Sequence, residues 1–315
     1  MRIVCKCSLD EEQLKKTDSI CEFIELQLFQ EFDGAVTDDL IQALYNRVIH
    51  SLTCAKVVTV HAPITDKGTL CGSIEHVASD KLHKLVHGTV RLADMLGKYY
   101  GYKVNVVLHT ELPYRYYTWF EHIYERIANT IETWMRTYPN IVLLVENIIP
   151  FMINKASTNL MYHSNGAFDD NAQLVKKLRE DIKDCRIYTL LDTAHALISL
   201  QAEKNLFALE DLPDLPTTLE DYVRAYEDTL GYIHLADAIE LGIKSNQHGI
   251  CFSNIRHHIL TDFLELYKRY GLTCDICLEV KENNYLTREN FKDDLFDVYV
   301  TCKKQGIPVE NHIEL

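Results

Sequence analysis

Apolar residues in this chain gather in short continuous runs, each followed by a longer stretch with amphipathic spacing. The runs are Ile3–Cys7, Phe23–Phe29, Val57–Ala62, Val104–His109, Ile141–Glu146, Ile187–Asp192, Tyr232–Leu235 and Cys274–Val280. They do not alternate apolar with polar, which fits strands of a parallel sheet covered on both faces. Between them apolar residues recur at helical spacing, as in Leu40, Ile41, Leu44 and Val48 after Thr37-Asp38-Asp39. Thr217 with Glu220 three residues on makes a capping-box pattern, and Thr287 opens a periodic run through Phe291, Leu295 and Val298. Alternation of β and α from end to end predicts a parallel α/β architecture. Eight strands predict closure into a single (β/α)8 barrel, one domain spanning residues 1–315. An open doubly wound sheet is the alternative. No Gly-x-Gly-x-x-Gly follows any run, however, and 12 glycines in all leave a dinucleotide loop without an obvious home.

The polar residues matter most where the runs stop. The third run ends Val-Thr-Val-His61, the fourth Val-Val-Leu-His109, the fifth Leu-Leu-Val-Glu146-Asn147 and the sixth Leu-Leu-Asp192-Thr-Ala-His195. The seventh reads Tyr-Ile-His234-Leu-Ala-Asp237 and the eighth Cys-Leu-Glu279-Val. In a barrel all strand C-termini open on one mouth, so residues far apart in sequence meet there. A single histidine at a strand end is ordinarily a packing residue; a series at equivalent positions has no such shared explanation. Buried carboxylates of one sign repel, and mixed oxygen and nitrogen donors suit Mn²⁺, Zn²⁺, Co²⁺ or Fe²⁺, so a divalent-metal site is expected. Long segments follow the fifth run (151–167) and the sixth (202–218, with Pro213 and Pro216), where such barrels build substrate walls.

Composition narrows the partners. The chain carries 46 acidic against 32 basic residues, a net charge of −14, which disfavours a nucleic-acid surface. A small-molecule substrate is expected instead. The ten cysteines lack framework spacing and read as reduced thiols, consistent with a cytoplasmic location. Cys274 and Cys277 form a Cys-x-x-Cys, but inside a strand that spacing sends them to opposite faces. No apolar run is long enough to span a membrane and the start of the sequence reads as a strand rather than a signal peptide. The oligomeric state is left open.

The ordered series Glu146-Asn147, Asp192-Thr-Ala-His195, His234-Leu-Ala-Asp237 and Glu279 resembles the xylose-isomerase-like barrels, which include sugar isomerases and epimerases and endonuclease IV. The resemblance implies that Glu146, Asp192, His234 and Glu279 share one divalent metal (Mn, Zn or Co). In the epimerase branch Glu146 and Glu279 would be the acid/base pair moving a proton between adjacent carbons of a small carbohydrate or its phosphate, with His195 on the substrate. In the endonuclease branch additional histidines build a zinc cluster that attacks a phosphodiester. Here His61, His109, His195 and His248 resemble that fuller set as a second metal site. Asn246 stands where the endonuclease pattern has an acid, and neither its Gly-Ser-Arg element nor its following glycines are present. The sequence therefore leads to a metal-dependent isomerase or epimerase, with a zinc-dependent phosphoester hydrolase as the alternative. A dehydratase, an aldolase or a binding-only barrel completes the field. Lys155, Lys244, Arg115 and Lys281 are candidate anion contacts, and Tyr114, Tyr116, Tyr117, Trp119, Phe120 and Phe151 candidate stacking partners for a sugar.

Overall fold

The computed structural model describes residues 1–32, 36–66, 69–70, 72–110, 121–148, 151–153, 160–162, 170–206, 217–239, 247–252 and 258–311. Eight parallel strands close into a barrel: β1 (Ile3–Ser8), β2 (Phe23–Gln27), β3 (Lys56–His61), β4 (Val104–His109), β5 (Ile141–Glu146), β6 (Ile187–Asp192), β7 (Leu230–Leu235) and β8 (Asp275–Leu278). Each pairs with its neighbour in sequence, and β8 returns to β1 through Ile3↔Ile276 and Val4↔Cys277. Around them run α1 (Glu11–Asp18), α2 (Asp38–Ser51), α3 (His83–Tyr100), α4 (Glu121–Thr137), α5 (Asp170–Ile182), α6 (Thr193–Leu206), α7 (Leu219–Tyr226), α8 (His258–Arg269) and α9 (Glu289–Gln305). The expected (β/α)8 barrel is thus the observed fold.

Period-two alternation along the strands explains why the runs look uniformly apolar. One set of side chains packs outward under the helices, in two large buried clusters. The other set fills the barrel lumen with Val4, Phe23, Val58, Val107, Leu144, Leu190, Tyr232 and Cys277. Cys277 faces this lumen while Cys274 packs with the outer cluster, so the Cys-x-x-Cys is divided between faces. Two residues beyond the lumen layer, the same alternation turns Lys6, Glu25, His109, Glu146, Asp192, His234 and Glu279 toward the mouth. The barrel floor is apolar and its upper layer is polar.

Element ends differ in instructive ways from the sequence expectation. Thr37 caps α2 as predicted, its Oγ1 accepting from Leu40 N at 3.2 Å. The cap of α7 is Thr218 rather than Thr217, because its partner is Asp221, whose Oδ2 accepts from the backbone N–H of both threonines. Thr287 does not cap α9: Arg288 occupies that position at φ +52°, and Glu282 reaches back to accept from Asn290 N and Phe291 N. The expected loop 202–218 begins as helix, since α6 runs on to Leu206. Two short antiparallel arms, Phe151–Ile153 and Leu160–Tyr162, occupy part of the segment after β5.

Candidate metal centre

Asn147 and Thr193 lace the strand ends together. Asn147 Oδ1 accepts from Asp192 N at 2.7 Å and its Nδ2 donates to Asp192 O at 3.1 Å, tying β5 to β6. Thr193 Oγ1 donates to Ala236 O at 2.7 Å, tying β6 to β7. These bonds explain why Asn follows Glu146 and Thr follows Asp192: buried backbone groups where the ladder ends must find partners. After β3, Gly72 adopts φ +81°, where a Cβ would lie 2.1 Å from Pro63 O. Its carbonyl accepts from His109 N at 3.2 Å and so fixes the end of β4.

On this frame the predicted residues meet. Glu146, Asp192, His234 and Glu279 each offer a donor atom within 4.8 Å of the others. His61, His109 and Glu146 form a second such set, and Asp192, His195 and His248 a third. Glu146 is divided between two of them: Oε2 lies 3.1 Å from His61 Nε2 and 3.2 Å from His109 Nε2, while Oε1 lies 3.1 Å from His234 Nδ1. Asp192 joins the first set to the third, its Oδ2 being 3.0 Å from His248 Nε2 and 3.9 Å from His234 Nδ1.

The imidazole orientations test whether a cation suits the site. His234 Nε2 donates to Glu25 Oε2 at 3.0 Å, His61 Nδ1 to Ala62 O at 2.8 Å, and His195 Nδ1 to Asn147 O at 2.8 Å. Each bond consumes one ring N–H, so in the neutral ring the other nitrogen presents a lone pair. The lone pair of His234 Nδ1 then faces oxygens of Glu146, Asp192 and Glu279. Lone pairs directed at carboxylates repel unless a proton or a cation lies between them. Glu279 Oε2 is buried, 3.1 Å from His234 Nδ1, yet receives no hydrogen bond of acceptable geometry among the described residues. The donor chemistry and this orphaned oxygen both fit a divalent ion.

Electrostatics follow the same geometry. Burial lowers His61 and His195, keeping their rings neutral. Burial also works against charge on His234, but Glu25 and Glu146 outweigh it and raise its pKa. The carboxyl of Glu146 is held well below its usual range because His234 and His109 overcome the cost of burial.

Sequence reading missed two members of this layer. Lys6 Nζ lies 2.7 Å from Glu279 Oε1 and 3.4 Å from Glu25 Oε1, and Glu25 orients His234 from behind. The strand-end position that picks out Glu146 passes over both, since they lie inside β1 and β2. Period-two alternation is the signal that reaches them, Lys6 following lumen residue Val4 by two and Glu25 following Phe23 by two. Asn246, Arg115, Lys155, Lys244 and the aromatic series Tyr114 to Phe120 lie outside the described residues, as does the side chain of Phe151.

No protein-family model and no curated relative matches the sequence. Solved structures do match over nearly the whole chain. D-psicose 3-epimerase from Clostridium cellulolyticum aligns with a TM-score of 0.57 at 12% identity, covering 96% of this chain and 99% of that one. 3-Keto-D-glucoside 4-epimerase from E. coli gives 0.57 at 14%, covering 95% and 99%. Endonuclease IV from Thermus thermophilus gives 0.56 at 16%, covering 96% and 100%. The chain thus shares its fold with these two epimerases and with endonuclease IV.

Proposed function

We propose that the chain is a metal-dependent hydrolase of phosphate esters, acting on a small substrate through a cluster of two or three divalent cations. The division of Glu146 carries this reading. Its two oxygens address different imidazole and carboxylate sets, as expected of a carboxylate that bridges neighbouring ions. Glu146, Asp192, His234 and Glu279 would hold one cation, His61 and His109 with Glu146 a second, and His195 and His248 with Asp192 a third. Cations bound there supply Lewis-acid stabilisation of charge developing on the phosphoryl group. Glu25 would keep His234 Nδ1 turned toward the cation held with Glu146, Asp192 and Glu279, and the Asn147 carbonyl fixes the ring of His195 beside Asp192. The net charge of −14 favours a small anionic ester over polymeric DNA.

The epimerase reading keeps one supporting observation. Glu146 and Glu279 both approach His234 Nδ1 at 3.1 Å, so two carboxylates flank one point, the arrangement proton transfer across a sugar requires. Lys6 weakens that reading, because an ammonium 2.7 Å from Glu279 Oε1 opposes its protonation and makes it a poor base. Metal content with a substrate panel separates the two. Two or three metals per chain with phosphatase or phosphodiesterase turnover supports hydrolysis. One metal per chain with ketose epimerisation and no ester cleavage overturns it.

A further inference from the structure

A cavity of about 340 Å3 opens beside the cluster, on the β1, β2 and β8 side of the mouth. Glu279 and His248 belong to its wall, so it is continuous with the centre described above. Phe29 and Tyr285 also line it and are about half exposed, at 52% and 45%. Exposed aromatic rings on a concave wall are common where a ligand's flat face packs.

The unexplained group in this cavity is Arg288. It is only 2% exposed and has φ +52°, a conformation that costs a non-glycine residue energy. Its Nη1 donates to Lys6 O at 2.7 Å, and its Cζ lies 5.7 Å from the Tyr285 ring centroid. Its Nε and Nη2 are buried with no acceptor, and no carboxylate lies within ion-pair distance of it, among the described residues. Glu282, the acid close by in sequence, spends its two oxygens on the backbone of Asn290 and Phe291. Lys6 cannot serve in its place, since Glu279 and Glu25 already hold its ammonium. A buried guanidinium with two idle, co-planar donors is suited to a bidentate oxyanion. Lys281, exposed on the same wall and fixed by its N–H to Gly249 O at 2.7 Å, adds a second positive charge.

We propose that this cavity is an anion subsite of the same active centre. Arg288, with Lys281, holds a second anionic group of the substrate, a phosphate or carboxylate. The ring carrying it packs between Phe29 and Tyr285, and its other end reaches the cluster at Glu279 and His248. This deepens the hydrolase reading by naming a doubly anionic small substrate, and the cavity's size suits a sugar phosphate rather than a polymer.

Calorimetric titration of the metal-loaded protein with fructose 1,6-bisphosphate, fructose 6-phosphate and fructose tests it. Arg288→Met is expected to weaken bisphosphate binding tenfold or more at unchanged metal content and melting temperature. Lys281→Met, on an exposed side chain, is expected to weaken it threefold or more, and this arm stands if Arg288→Met does not fold. Absence of saturable bisphosphate binding to the parent overturns the subsite. So does bisphosphate affinity unchanged in the folded Arg288→Met protein, or in Lys281→Met if Arg288→Met does not fold. The monophosphate arm reads the reaction separately. Affinity retained in Arg288→Met places its phosphate at the cations, as hydrolysis requires. Affinity lost tenfold places that phosphate on Arg288, which keeps the subsite and counts against hydrolysis.

Discussion

Glu25 Oε2 accepts a hydrogen bond from His234 Nε2 at 3.0 Å, with both side chains fully buried. That bond fixes which imidazole nitrogen faces Glu146, Asp192 and Glu279. It links a strand near the start of the chain to a cluster assembled from β5 to β8, and it makes Glu25 a positioning residue.

Glu25→Gln is expected to weaken metal binding by about tenfold or more, the usual effect of removing a carboxylate behind a ligating histidine. Chelator competition reads the affinity, and an unchanged far-ultraviolet circular dichroism spectrum shows that the barrel persists. The neighbouring set at His61 and His109 does not depend on this bond, so partial metal occupancy is retained.

Metal removal should lower thermal stability. A ligand bound only by the folded state, at a hundredfold excess over its Kd, stabilises by about 2.7 kcal/mol. For a barrel of 315 residues that corresponds to roughly 4 °C. Melting curves with a chelator and with added Zn²⁺ or Mn²⁺ measure the shift, and Glu146→Gln should reduce it.

Legibility from the sequence followed physical locality. The eight strands were readable because burial on both faces makes each run apolar without a partner being known. The site residues ending those runs were readable for the same reason: Glu146, Asp192 and His234 interrupt an apolar pattern. Lys6 and Glu25 interrupt it too, but lie within their strands (Ile3–Ser8 and Phe23–Gln27), with apolar residues on both sides. Their significance appears only when β8 closes onto β1, which brings Lys6 to Glu279 and Glu25 to His234. Arg288 was illegible for a stronger reason, since its backbone partner Lys6 is 282 residues away. The capping residues slipped by one position because Thr217 and Thr218 are chemically alike, and only the reach of Asp221 distinguishes them.

Asp294 supplies a pH prediction away from the centre. Burial, outweighing the Cys251 thiol and the Phe252 N–H that its Oδ1 accepts, pushes its carboxyl up to about 7. A folded-state pKa above the unfolded value means that the native protein holds the proton more tightly. This contribution to stability is complete below about pH 4 and declines as pH rises toward 7. Asp294→Asn keeps an acceptor for Phe252 N without the titration. It should flatten the loss of melting temperature between about pH 4 and about pH 7.

Gly72 offers a backbone test. Any side chain there meets Pro63 O and must hold φ near +81°. Gly72→Ala is expected to destabilise by about 1–3 kcal/mol. It should also loosen His109 and so reduce metal occupancy at the His61 and His109 set. Chemical denaturation and metal analysis of the same preparation measure both effects.

Anomalous diffraction at the zinc edge, from crystals of protein purified without chelator and supplied with Zn²⁺, reads the central claim most directly. The expected result is a peak within about 2.0–2.3 Å of His234 Nδ1 and of oxygens from Glu146, Asp192 and Glu279, with a further peak between His61 and His109. A mouth holding only water, with no anomalous peak within coordination distance of Glu146, would contradict it.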